Sequence, residues 1–309
     1  MPRLRAPFPW FGGKSRAAHL VWPRFGDVGH YIEPFAGSLA VLFGRPHAPR
    51  IETINDKDCH IANFWRAVQV DPEAVAQHAD WPVNEADLYA RHQWLIDYGT
   101  ALVEKIQEDP LYFEPKVAGW WVWGLCQWIG DGFCYNHHRK RPNLHNYGKG
   151  IHQKDADPRA WFQDIQERLR KVRVCCGDWT RVVSTGVILY EKYSHGIFLD
   201  PPYCAPRSLG IYRHDSQNIS GAVRQWAAEH GTNANIRIAL CGFEGEHNTL
   251  ETLGWTKVVW DGNTGYANSR KATREKANRK NERIWFSPHC LQTKVPPIQK
   301  AVALEGPGV

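Results

Sequence analysis

Short apolar runs, each closed by an acid, a proline or a glycine, alternate along this chain with longer stretches in which apolar residues recur every three to four positions. The first kind reads as strands and the second as helices. The pattern predicts strands over 31–35, 51–54, 172–176, 196–199, 236–240, 256–260 and 283–286. Helices are predicted from near Ser15, over 39–43, and from Asp58 to about Val70, where Ile61, Phe64, Trp65 and Val68 share one face. A further helix has its N-cap near Asp215 or Ser216 and carries Ile219, Val223, Trp226 and Ala227; a short one covers 246–253. Strands alternating with helices make an α/β sheet.

One interval breaks the rhythm. More than a hundred residues separate the strand at 51–54 from the one at 172–176, far more than a crossover needs. The sheet domain therefore comprises 1–69 and 166–288, and 70–165 is an inserted, mainly helical subdomain. Within it Trp120, Trp121, Trp123 and Trp128 crowd one stretch at helical spacing, which suits packing. The loop over 136–153 instead mixes Asn, Gly, aromatic and basic residues, among them Arg139, Lys140 and Arg141, a composition suited to phosphates and base edges. From Cys290 on, with Pro296-Pro297 and Gly306-Pro307-Gly308, 289–309 reads as a disordered tail.

Composition narrows the class. The chain of 309 residues can bury a sizeable core, and no apolar run approaches the roughly 18 residues of a membrane helix. Met1-Pro2-Arg3-Leu4-Arg5 is not followed by a signal-peptide apolar core, so the expectation is a soluble intracellular protein. Of the eight cysteines, Cys175, Cys176 and Cys241 lie inside apolar runs and read as reduced core residues. Cys126, Cys134, His137 and His138 form a cluster whose spacing matches no short zinc knuckle, which favours structural roles over metal. The net charge of +6 is mild, but its distribution is not even. Between Asp261 and Arg283, seven basic residues (Arg270, Lys271, Arg274, Lys276, Arg279, Lys280 and Arg283) face three acids with almost no apolar residues between them. That composition suits phosphate contacts, or equally a solvated surface loop.

The candidate chemistry sits at strand ends. The run Gly196-Ile197-Phe198-Leu199 stops at Asp200-Pro201-Pro202-Tyr203, because proline has no N–H for the ladder. In open α/β sheets, ligands bind beyond the carboxyl ends of strands. Asp200 and the Pro201 carbonyl offer two acceptors for the two hydrogens of an exocyclic amine, and Tyr203 offers a flat face; a plain Pro-Pro turn is the duller alternative. Gly12-Gly13-Lys14 makes a tight turn ahead of a helix but lacks the upstream glycine of a P-loop. Glu33-Pro34-Phe35-Ala36-Gly37-Ser38 leads from a strand into a helix, the arrangement that brings backbone N–H groups to a cofactor, although a dinucleotide fingerprint is missing. Asp56, closing the next strand, stands where such folds hold ribose hydroxyls. Gly177-Asp178-Trp179 could hold a purine, or Asp178 could simply cap a helix.

Taken in order, Phe11-Gly12-Gly13-Lys14, Glu33-Pro34-Phe35-Ala36-Gly37-Ser38, Asn55-Asp56 and Asp200-Pro201-Pro202-Tyr203 resemble the Dam-type (D12 class) DNA N6-adenine methyltransferases, especially phage-encoded members, over roughly 7–288. The resemblance implies a Rossmann-like seven-stranded methyltransferase sheet and S-adenosyl-L-methionine as methyl donor. It also implies that the insertion is a mainly helical target-recognition subdomain and that the partner is double-stranded DNA. A monomer in the cytoplasm of a bacterial host, without membrane contact, is expected. Carried over, Trp10 and Lys14 are N-terminal cofactor contacts, Phe35, Ala36 and Gly37 surround the methionine part, Asp56 holds the ribose, and Asp178 and Trp179 lie near the cofactor's adenine. Leu39 departs from the pattern, since many members carry a small residue or glycine there.

The chemistry such a site needs follows from charge. Two hydrogen bonds from the adenine N6, to Asp200 and the Pro201 carbonyl, would localise its lone pair and stabilise developing positive charge. The base must leave the duplex to react, and Tyr203 is the residue expected to stack on it. Competing readings are an RNA or protein amino-group methyltransferase, a DNA-binding decoy without catalysis, and a zinc-dependent module on Cys126, Cys134 and His137.

Overall fold

The computed structural model describes residues 4–10, 14–109, 111–129, 132–135, 141–142, 148–188, 192–203, 219–260 and 281–293. Among them a seven-stranded sheet forms the centre. Its strands are β1 (His30–Glu33), β2 (Ile51–Asp56), β3 (Val172–Cys176), β4 (His195–Leu199), β5 (Ile236–Phe243), β6 (Thr256–Val259) and β7 (Glu282–Phe286). Their order is β3-β2-β1-β4-β5-β7-β6. The pairings from β3 through β5 are parallel, and β7 runs antiparallel to both β5 and β6. This is a mixed, mostly parallel sheet of Rossmann-like type.

Strand periodicity explains the two layers of core. Phe198, Ala239 and Cys241 point to one face, where helices α1 (Ala18–Phe25), α2 (Ala40–Phe43) and α3 (Cys59–Val70) pack. Ile197, Leu199, Ile238 and Leu240 point to the other, beneath α9 (Ile219–His230) and the short helix α8 (Thr185–Ile188). Burial on both faces is why these strands read as continuous apolar runs.

Between α3 and β3 the chain forms α4 (Pro72–Ala79), α5 (Glu85–Glu108), α6 (Pro115–Gln127) and α7 (Pro158–Leu169). Three of them start with an acid before proline: Asp71, Glu114 and Asp157 each accept a backbone N–H at the N-terminus while the proline takes the position whose N–H would be unused. α4 and α6 meet almost backbone to backbone. A methyl group on Gly119 would lie 2.4 Å from the His78 Cβ and 2.7 Å from the Val75 carbonyl. Trp121 of α6 packs against Phe8 and Phe64, with ring centroids 5.1 and 5.6 Å away. The apolar side chains of these helices thus belong to the same buried cluster as α1 and the sheet face.

Two elements differ from the pattern-based expectation. The stretch expected as a helix over 246–253 is a 3₁₀ turn over Asn248–Leu253, because Glu246 is held in the preceding turn, where its carboxylate accepts from the Phe243 N–H and the Ser220 hydroxyl. Residues 289–293, expected as the start of a disordered tail, also pack on the body. Cys290 is buried, its thiol bonded to the Ile238 carbonyl, and the Leu291 N–H donates to the Arg24 carbonyl. Residues 294–309 lie outside those described.

At the amino-terminal edge of the sheet His30 faces His195, ring centroids 5.3 Å apart, and His30 Nε2 meets Thr53 Oγ1 at 3.0 Å. Burial pushes the His30 imidazole down to about 4, and the neighbouring His195 and Arg173 add to the shift. The unfolded chain therefore takes up a proton below about pH 6.5 that the folded form refuses until about pH 4, so this group lowers stability as pH falls through that window. Urea unfolding of wild type and His30→Gln at pH 7 and pH 5 should show the wild type losing about 2 kcal/mol more than the variant on acidification.

Candidate active site

The order of the sheet reverses between β1 and β4, so the chain leaves these two neighbours in opposite directions and opens a crevice beyond their carboxyl ends. A cleft of about 790 Å³, open to solvent, lies there. It brings together Trp10 and Lys14 from the N-terminal segment, Glu33, Phe35, Ala36, Gly37 and Ser38 from the end of β1, Asp56 from β2, and Asp200 and Pro202 from β4.

Gly37 is the hinge of the floor. It sits at φ +45°, its N–H donates to Asp56 Oδ2 at 3.0 Å, and its carbonyl accepts from the Trp65 indole at 3.0 Å. The Trp10 ring covers its Cα so closely that a Cβ would meet Nε1 at 2.5 Å. Two residues on, Leu39 also takes a left-handed conformation (φ 53°) as it starts α2. That backbone geometry favours glycine; here the leucine side chain is fully buried in the core instead.

Asp56 also accepts the Asp58 N–H at 2.9 Å through Oδ1. Burial pushes its carboxyl up to about 7, against the pull of the Gly37 and Asp58 N–H groups. Glu33 is buried and takes the Tyr31 hydroxyl at 3.0 Å. Desolvation raises it to about 8, the Asp200 charge adding to the effect while the Tyr31 hydrogen bond opposes it. Asn55 ties this edge together, its side-chain amide donating to the Pro34 carbonyl and to the Gly177 carbonyl, both at 3.0 Å.

Asp200 is held at both oxygens. The Tyr203 hydroxyl donates to Oδ1 at 2.8 Å and the Lys14 ammonium lies 3.0 Å from Oδ2. Burial, then the Asp200 charge, push the Tyr203 phenol well above its ordinary range, so it stays a donor. Its ring meets Phe243 edge-on at 4.7 Å, and Lys14 Nζ lies 5.3 Å from the ring centroid. Tyr203, expected from the sequence as a stacking face, thus has its hydroxyl engaged with the carboxylate beside it.

The remaining expected residues are not among the described residues that line the cleft. Asp178 caps a 3₁₀ turn by accepting from Thr180, and Trp179 is buried, stacked on Phe35 at 6.1 Å and edge-on to Trp226 at 6.0 Å. Pro34 and Pro201 join the lining residues to their strands. Arg141 is exposed. Gly12, Gly13, Arg139, Lys140, Arg270, Lys271, Arg274, Lys276, Arg279 and Lys280 lie outside the described residues, as do His137 and His138. Cys126 donates to the Pro7 carbonyl, and among the described residues no three metal-ligating side chains converge.

The cleft also takes residues that sequence reasoning assigned elsewhere or passed over: Ala40, Lys57, Asp58, Ile61, Phe198, Ile219 and Tyr135. Ile61 reads as an ordinary core position of α3, yet the helix turns it to the site. Tyr135 comes from the helical segment. Phe133, packed between His92 and Trp128, and Cys134, whose N–H reaches His92 Nδ1 at 3.2 Å, anchor the turn that presents it.

Residues 10–113 match the family model of the D12 class N6 adenine-specific DNA methyltransferases. That stretch contains Trp10, Lys14, the 33–38 turn and Asp56; Asp200 lies beyond it. No curated protein matches the chain in sequence.

Because Gly37 combines positive φ with a covered Cα, Gly37→Ala should destabilise the fold by about 1–3 kcal/mol, read as a lower urea midpoint at unchanged slope.

Proposed function

We propose that this protein transfers the methyl group of S-adenosyl-L-methionine to N6 of adenine in duplex DNA. The observation that carries the reading is the meeting of Asp200 with the Gly37 turn and Asp56 in one cleft where the strand order reverses. The match of residues 10–113 to the D12 class supports it from an independent direction.

The residues suit the donor. Gly37 lets backbone come close, Asp56 stands at the end of β2 where its oxygens, already taking the Gly37 and Asp58 N–H groups, would also accept ribose hydroxyls, and the acids Asp58 and Asp200 suit a cationic molecule. Trp10, Lys14 and the 33–38 turn would hold the methionine part, and Phe35, backed by Trp179, would border the adenine. When bound, the donor supplies a methyl group already activated by its sulfonium.

The protein's part is then to orient the amine and stabilise charge. Asp200 accepts one N6 hydrogen and the Pro201 carbonyl the other, which draws the lone pair out of the ring as positive charge develops. A carboxylate with an ordinary value near ~3.9 does not remove the proton from a neutral exocyclic amine beforehand. Lys14 and the Tyr203 hydroxyl fix the orientation of Asp200 from the far side. The adenine leaves the duplex to reach this point, and the helical segment 70–165, which brings Tyr135 to the cleft and carries Arg139, Lys140 and Arg141, reads the surrounding sequence.

Two measurements test this. DNA from a host expressing the protein should carry N6-methyladenine in a reproducible short motif, and Asp200→Ala should abolish the mark, with a rate loss of at least about a hundredfold, while duplex binding persists. Methylation confined to RNA or protein substrates, or an active Asp200→Ala, would overturn the reading. Tyr203→Phe separates positioning from stacking, since phenylalanine stacks as well. Loss of the hydroxyl should lower kcat by about ten- to a hundredfold with the KM for DNA little changed.

A further inference from the structure

A lysine paired with the carboxylate that must meet a developing cation has the wrong sign for the task. Lys14 is 5% exposed, its ammonium is 3.0 Å from Asp200, and the rings of Tyr203 and Trp260 lie 5.3 and 5.6 Å from it. In so enclosed a place its charge acts at nearly full strength on whatever Asp200 binds. Glu33 does not offset it at neutral pH, since burial raises that carboxyl to about 8. A second carboxylate is present, however. Glu282 Oε2 lies 3.9 Å from Lys14 Nζ, with its side chain almost as enclosed as the lysine's.

The topology explains how it gets there. β7 is the antiparallel strand, so it begins at the edge where the parallel strands end, and its first residue pairs in register with Phe243, the ring that meets Tyr203. Glu282 lies outside the stretch that matches the family model.

We infer that Glu282 is a positioning residue of the methyl-transfer site. Its carboxylate offsets the Lys14 ammonium, so that the surroundings of Asp200 keep net negative charge for a cationic donor and for the positive charge that spreads to the attacking nitrogen. The inference rests on the methyl-transfer reading above.

Glu282→Gln keeps the shape and removes the charge. Calorimetry should show the sulfonium donor weakened at least about threefold more than its uncharged thioether product, a charge discrimination that a packing defect does not create. On duplex DNA, kcat should fall at least about tenfold with the KM for DNA within about twofold. Equal weakening of donor and product, or an unchanged kcat, would overturn the inference. Wild-type enzyme in the same assay keeps the two readings apart. If it leaves adenine unmethylated, the proposed function falls, and the donor-to-product binding ratio still decides the role of Glu282.

Discussion

Reversal of strand order next to β1 is the constraint from which the site follows. Crossovers from β1 run to one side of the sheet and those from β4 to the other, so the carboxyl edge between them cannot be closed by helices. Three strand ends deliver groups to that edge: the Glu33 turn by β1, Asp56 by β2 and Asp200 by β4. The single antiparallel strand reaches the same edge from its other end, which is why Glu282 arrives as a first residue where the others arrive as last ones. Precision then comes from cross-links between loops, above all the Asn55 amide that joins the turns after β1 and β3.

Five carboxyl groups (Glu33, Asp56, Asp58, Asp200 and Glu282) and two lysines (Lys14 and Lys57) meet along this edge, and their surroundings give them different characters. Glu33, buried against Tyr31, is shifted toward its neutral form, whereas Asp200 is engaged by an ammonium and a phenol hydroxyl. Asp56 accepts backbone N–H groups through both oxygens and so braces the glycine turn.

The sequence discloses those parts of this arrangement that are encoded locally. The end of β4 is visible because Pro201 and Pro202 forbid further pairing, whereas the strand expected over 31–35 in fact stops at Glu33, before Pro34; Gly37, Asp56 and Asp200 draw notice because they stand just beyond apolar runs. What local pattern cannot reveal is which of two possible partners a side chain meets. Tyr203 has a face to stack and a hydroxyl to donate, and only the fold puts that hydroxyl on Asp200. Ile61 is as buried as its helical spacing predicts, and only the fold shows that it also borders the cleft. Tyr135 depends on a turn fastened by Phe133 to His92, more than forty residues away, and Glu282 depends on the direction of β7. The short helix expected over 246–253 failed for a related reason, its first acid being drawn into contacts with Ser220 and Phe243.

The shared core of the sheet and the intervening helices has a consequence for how this segment can change. Phe8, Phe64 and Trp121 interlock, and Trp121 in turn lies 6.4 Å from Trp10, a wall of the cleft. A segment joined to its host through such a cluster cannot be exchanged as a cassette, because a foreign helix would have to reproduce both the aromatic seam and the floor of the neighbouring pocket. Change in this segment is therefore confined to the loops that emerge from the helices, with the helices themselves kept as framework.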